Sequence, residues 1–216
     1  MKKIVITCLI LFIGINSFAQ KENNKFEIGS DALEFTSKIN NKNYKLYINL
    51  PASYSTDSLK NYPVLYKLDA QWSFASIVSL YGNLRFDGYV PEMIIVGISY
   101  GGINPHYDKL RGEDLTPTEF TYIPGSGGAA RFQNVIRDEI MPLINKKYRT
   151  NTEQQTLSGT SLGGLFAYYT LLTANDLFNA YIICNPSFWW EEGNYIFKLL
   201  IFEIILFVNF LLLCIL

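Results

Sequence analysis

Two glycines flank a serine in Gly159-Thr160-Ser161-Leu162-Gly163, and this stretch constrains the fold of the 216-residue chain more than any other. Gln155 to Ser158 before it reads as a strand, and Leu162 to Leu172 after it as a helix with Leu165, Tyr168, Leu171 and Leu172 on one side. A chain that reverses from strand to helix in so few residues leaves no room for side chains at the glycines. As a string the pattern is weak. Three fixed positions at roughly 7% each over about 200 sites arise by chance in about one chain in fifteen. Its weight comes from the elements around it.

Upstream, Glu34 to Leu50 alternates around Asn40-Asn41-Lys42-Asn43, with Tyr44, Leu46, Ile48 and Leu50 on one face, and predicts an opening hairpin. Tyr62 to Leu68 and Met93 to Ser99 are continuous apolar runs, as strands buried on both faces require. Phe74 to Leu84 lies between them and can form a helix. Arg131 to Tyr148 carries Phe132, Val135, Ile136, Ile140, Leu143 and Ile144 at helical spacing, with a kink expected at Pro142. Tyr181 to Cys184 is one more strand. Strands alternating with helices predict an α/β fold with a mainly parallel sheet and helices on both faces. The length suits one domain, and neither a repeat nor a linker interrupts it.

Hydrophobic residues make up 49% of the chain and aromatics 15%, so it is not of the disordered class. A net charge of −1 provides no field to attract nucleic acid. Lys2 and Lys3, the apolar run Ile4 to Ile15 and Ser17-Phe18-Ala19 have the layout of a cleaved secretory leader over residues 1–19, giving a mature start at Gln20 and a secreted or periplasmic product. Cys8 would leave with the leader. Cys184 and Cys214 are too few for a disulfide framework.

A sharp strand-to-helix turn would hold the Ser161 hydroxyl at the top of the sheet, where it could act as a nucleophile. The Leu162 amide at the helix start could donate to an oxyanion, with a second donor expected from Ala70 or Gln71 after the third strand. The bland alternative makes Ser161 an ordinary helix cap. A phosphate loop is excluded because no Lys follows the glycines.

Asn49-Leu50-Pro51, Tyr62-Pro63-Val64-Leu65-Tyr66 with Leu68-Asp69, Asp114-Leu115-Thr116-Pro117-Thr118, Gly159 to Gly164, and Asn185-Pro186-Ser187-Phe188-Trp189-Trp190 stand in an order that resembles the esterase family containing esterase D, feruloyl esterases and the ferric enterobactin and salmochelin esterases. The resemblance runs from about Glu34 to about Leu200. It implies an α/β-hydrolase fold, hydrolysis of a small-molecule ester through an acyl-serine on Ser161, and no metal or organic cofactor. Trp72, Trp189 and Trp190 could form an aromatic wall for a phenolic or peptide-like acyl group, although aromatics beside a sheet are more often core. Asp114 to Thr118 reads as a structured loop.

The family pattern fails after Ser161. Its base and acid should follow the serine, but no histidine does, and the downstream acids Asp176, Glu191, Glu192 and Glu203 follow no recognisable later strand. The single histidine, His106, reads as a surface or loop-stabilising residue. From Leu199 to Leu216, sixteen of eighteen residues are apolar. The expectation is therefore an esterase domain over 20–200 that lacks its last strands, with 201–216 a hydrophobic tail foreign to the family. Such a chain should be a serine carboxylesterase by lineage with little turnover. The rival expectation is a non-catalytic binding protein that keeps the esterase pocket and contacts a membrane through 199–216.

Overall fold

All seven residues of the strand β4, Ile94–Tyr100, are buried, as a strand covered on both faces demands. In the computed structural model, which describes residues 31–193, β4 lies inside a six-stranded sheet of order β1-β2-β4-β3-β5-β6. The hairpin of β1 (Asp31–Thr36) and β2 (Asn43–Asn49) runs antiparallel, and β2 pairs antiparallel with β4. The rest is parallel: β3 (Tyr62–Lys67) lies between β4 and β5 (Thr150–Ser161), and β6 (Ala180–Pro186) pairs with β5.

Helices cover both faces. On one, α1 (Ala70–Phe86) packs with Leu65 and Ile95. It comes so close that a Cβ on Gly97 would lie 2.5 Å from the Phe74 ring and 2.7 Å from Ala70 Cβ. The other face carries the main core, in which Phe132, Ile136, Ile140 and Ile144 join Leu165 and Phe166 against Tyr66, Leu68, Val96 and Leu157. The first six of these residues come from α3 (Ala129–Val135), α4 (Met141–Lys147) and α5 (Leu162–Thr173) and from the π turn Ile136–Ile140 joining the first two.

The kink expected at Pro142 takes the form of that π turn. Proline lacks the amide its helical hydrogen bond needs, and the widened turn just before it absorbs the mismatch. In α5 the buried side is Leu165, Phe166, Ala167 and Thr170, while Tyr168, Leu171 and Leu172 are half-buried. The helix is apolar nearly all round, so periodicity could not orient it. α1 begins four residues earlier than its apolar pattern, at Ala70, and α2 (Tyr107–Asp114) was not anticipated. Among the described residues no helix is long and apolar enough to cross a membrane. The leader over 1–19 and the tail over 199–216, with Cys8, Glu203 and Cys214, lie outside the described residues.

Candidate active site

β5 delivers the chain to Ser161 at the carboxyl edge of the sheet, and α5 leaves from Leu162. Ser161 has φ 58° and ψ −121°, a left-handed backbone that costs a non-glycine residue about 1–3 kcal/mol. Its neighbours explain how the turn is enforced. A Cβ on Gly159 would sit 2.0 Å from the Gly163 carbonyl oxygen, and one on Gly164 would sit 2.8 Å from the Cys184 carbonyl oxygen. Strand and helix are pressed together backbone to backbone. The serine is half-buried and is not a capping residue: its side chain makes no cap hydrogen bond to α5.

The turn after β3 closes in from the side. Leu68 donates its amide to the Ser158 carbonyl at 2.9 Å, carrying the pairing to the end of the strand. Asp69 then takes φ 55° as the residue before α1, and its Oδ2 would stand 3.1 Å from a Cβ on Gly163. Ala70 and Gln71, the first two residues of α1, thus begin beside the start of α5, where Leu162 is first. The leading amides of a helix have no carbonyl partner within it, so both helix starts present free donors at this edge. The Gln71 side chain is a separate matter: its amide atoms are buried without a hydrogen-bond partner among the described residues.

Arg111 from α2 holds the Asp69 turn with two hydrogen bonds, Nε to Oδ1 at 3.0 Å and an Nη to Oδ2 at 2.8 Å. Its guanidinium lies 5.4 Å from the Trp72 ring centre, and Trp72 meets Tyr107 edge-on. Beneath the edge, buried Lys67 donates to Thr160 Oγ1 at 3.4 Å, and burial holds its ammonium below the ordinary lysine range.

On the far side, Ser187 lies 3.1 Å, Oγ to Oγ, from Ser161. Trp72 and Trp189 are 56% and 60% exposed. Trp190 corrects the expectation of a third wall residue: it is fully buried, donates Nε1 to Thr118 Oγ1 at 3.1 Å and packs on Phe120. It ties the segment after β6 to the loop after α2.

Asp114 to Thr118 is a structural knot. Asp114 is buried, bonded to Lys42 Nζ at 2.5 Å and to the Tyr44 hydroxyl at 2.6 Å. Burial raises its carboxyl above the usual range, and Lys42 offsets part of that. Thr116 accepts the Gly127 amide at 2.8 Å. His106 is exposed and accepts the Lys109 amide through Nδ1 at 3.3 Å, which makes it the cap of α2. Asp176 faces Arg137 at 3.2 Å. Among the described residues no cluster of three or more His, Cys, Asp or Glu is placed to hold a metal ion.

Sequence reasoning missed Asp69, Arg111 and Ser187, which meet their partners only through the fold. The Asp69 turn was legible as the end of an apolar run, but its ion pair was not.

Comparison with known proteins gives a consistent result. The family model described as "Putative esterase" matches residues 37–198. Ferri-bacillibactin esterase BesA of Bacillus subtilis is 32% identical over 187 residues, covering 79% of this chain and 63% of its own length. A siderophore triacetylfusarinine C esterase of Aspergillus fumigatus is 30% identical over 133 residues, 60% of this chain and 46% of its own. The chain therefore spans about half the length of the curated relatives it matches. The crystal structure of an IroE-like serine hydrolase from Shewanella oneidensis superposes with a TM-score of 0.69 at 31% identity, covering 79% of this chain and 54% of that one.

Proposed function

The chain belongs to that esterase family, and on this premise we propose that it hydrolyses carboxylic esters of siderophores through an acyl intermediate on Ser161. The observation that carries the reading is the forced backbone at Ser161, with φ 58° and no capping bond, which no helix cap needs. Siderophore esters are the favoured class because the relatives at 30% identity or more include esterases of ferri-bacillibactin and of triacetylfusarinine C.

In this reading Ser161 Oγ attacks the ester carbonyl. The Leu162 amide and the Ala70 or Gln71 amide receive the oxyanion, whose charge grows in the transition state where such donors act most strongly. The carbonyl–alkoxy bond then breaks, and the alcohol leaves with the proton that Ser161 gave up. Water attacks the acyl carbonyl, releases the acid and restores the hydroxyl. Trp72 and Trp189 offer exposed aromatic faces to the acyl group, with the Arg111 guanidinium beside the first. Asp69 and Arg111 keep the donor turn in place.

A general base must take the Ser161 proton. The single histidine of these 216 residues caps α2, so we propose that a protein of these residues alone turns over slowly, several orders of magnitude below a complete Ser-His pair. A single esterase domain behind a cleaved leader, with a mature start at Gln20, goes with this reading.

The test is covalent labelling with a fluorophosphonate, located by peptide mass spectrometry, together with hydrolysis of ferri-bacillibactin followed by chromatography. Phosphonylation at Ser161 that is lost in Ser161→Ala supports the nucleophile. Labelling elsewhere, or none, sinks it. Ordinary turnover of these 216 residues would refute the slow-base reading alone.

A further inference from the structure

The segment after β6 is shaped around Ser161. β5 and β6 run in step as Gly159 to Ile183 and Thr160 to Cys184, then slip so that Ser161 faces Pro186. The residue skipped is Asn185, with φ 41°, a conformation that costs little for asparagine. The slip turns Ser187 back toward the nucleophile. Its amide donates to the Ser161 carbonyl at 3.1 Å, and its hydroxyl lies 3.1 Å from Ser161 Oγ. Ser187 is 2% exposed, so water competes poorly for that hydroxyl. The same turn abuts α5, because a Cβ on Gly164 would meet Cys184 O at 2.8 Å and Pro186 Cα at 3.0 Å. Both serines are thus fixed by backbone, one on each side of a closed contact.

We propose that Ser187 is a positioning residue for the nucleophile. Its hydroxyl donates to a lone pair of Ser161 Oγ, selects the rotamer and leaves the proton of Ser161 free to depart. A hydrogen bond to an oxygen gaining negative charge is stronger than one to a neutral hydroxyl, so this contact strengthens as Ser161 attacks. The opposite polarity, with Ser161 donating to Ser187, would hold the proton back and restrain attack. The inference rests on Ser161 being the nucleophile.

The experiment measures fluorophosphonate labelling of the full chain as a function of reagent concentration, giving a saturation constant and a limiting rate. In labelling the Oγ–P bond forms, the P–F bond breaks, fluoride leaves and the proton passes to solvent. Ser187→Ala is expected to lower the limiting rate about 3–30-fold with the saturation constant unchanged. Ser187→Thr, which keeps the hydroxyl, should recover most of the rate. Ser187→Cys keeps the size with a weak donor and should behave like the alanine variant, which covers the case in which Ser187→Ala does not fold. Rates within twofold of wild type for the alanine and cysteine variants overturn the proposal, as does a rate increase in either. A wild-type chain unlabelled at Ser161, with Ser187 untouched, overturns the nucleophile reading and this inference with it. Labelling at Ser161 that ignores position 187 overturns only the inference.

Discussion

Replacing Gly159 by alanine tests whether the turn at Ser161 is as closely wound as its backbone indicates. The new methyl would lie 2.0 Å from Gly163 O, 2.3 Å from Gly163 C and 2.9 Å from Gly164 N. All three are main-chain atoms, so no rotamer change can relieve the overlap, and either β5 or the first turn of α5 must move. Overpacking against movable side chains costs about 1–3 kcal/mol, and a collision with backbone belongs at or above the top of that range. For a chain of this size about 3 kcal/mol lowers Tm by roughly 6–12 °C. Gly82 is the matched control. It is exposed within α1, and its Cβ would meet nothing within 4 Å. Gly82→Ala should therefore stabilise by about 0.5–1 kcal/mol, since alanine has less freedom to lose on folding. Calorimetry or thermal circular dichroism gives both shifts, and fluorophosphonate labelling reads the geometry at Ser161. A Gly159→Ala protein that melts within 2 °C of wild type and labels normally, a bound set by the same scaling, would refute the steric argument.

Two further perturbations separate support from chemistry. Glu92 is held down to about 2 by Lys60 first and then by Ser53 and Arg85. A carboxylate whose folded value is depressed adds stability above its unfolded value near 4.3 and loses it as pH falls toward the folded one. The stability gap between wild type and Glu92→Gln, from urea titrations, should accordingly be present at pH 7 and close between about pH 4.5 and 2; a gap independent of pH would show that the Lys60 contact does not hold the charge. Asp114→Ala takes the buried acceptor from the Tyr44 hydroxyl and leaves Lys42 with Glu113 at 2.8 Å, so it should cost about 1–3 kcal/mol in chemical denaturation, and a cost below about 0.5 kcal/mol would mean that the knot after α2 is not a support.

What could be read in advance follows from the range of the interactions. Ile94–Tyr100 was legible because burial on both faces leaves a continuous apolar run in the sequence itself. The turn at Ser161 was legible because the constraint and its solution, two glycines and a serine, lie within five residues. β5 was placed only from Gln155, although it begins at Thr150. Its first five residues are polar and partly exposed, and between the Thr150–Tyr62 pair and the Gln155–Val64 pair the register shifts, so this stretch carries no buried apolar pattern. α2 was invisible for a similar reason. Tyr107 to Asp114 has no apolar stripe, and the helix is held by the His106 cap and by ties from Arg111 to Asp69 and from Asp114 to Lys42.

Trp190 shows why the edge of the site is the hardest part to read. Trp189 and Trp190 are adjacent and chemically identical, yet one is 60% exposed and the other fully buried. The difference is set by a short 3-10 turn, Trp190–Gly193, and by Thr118 and Phe120, which lie about seventy residues earlier in the chain. Ser187 depends likewise on a one-residue slip between two parallel strands. A register slip leaves no mark in composition or periodicity, because the residue that absorbs it, Asn185, suits an ordinary turn equally well. Local sequence thus specifies the turn at Ser161, whereas strand register and loop packing specify what surrounds it. Substitutions at Asn185 or Thr118 should therefore disturb the surroundings of Ser161 while leaving its own backbone, fixed by Gly159 and Gly163, in place.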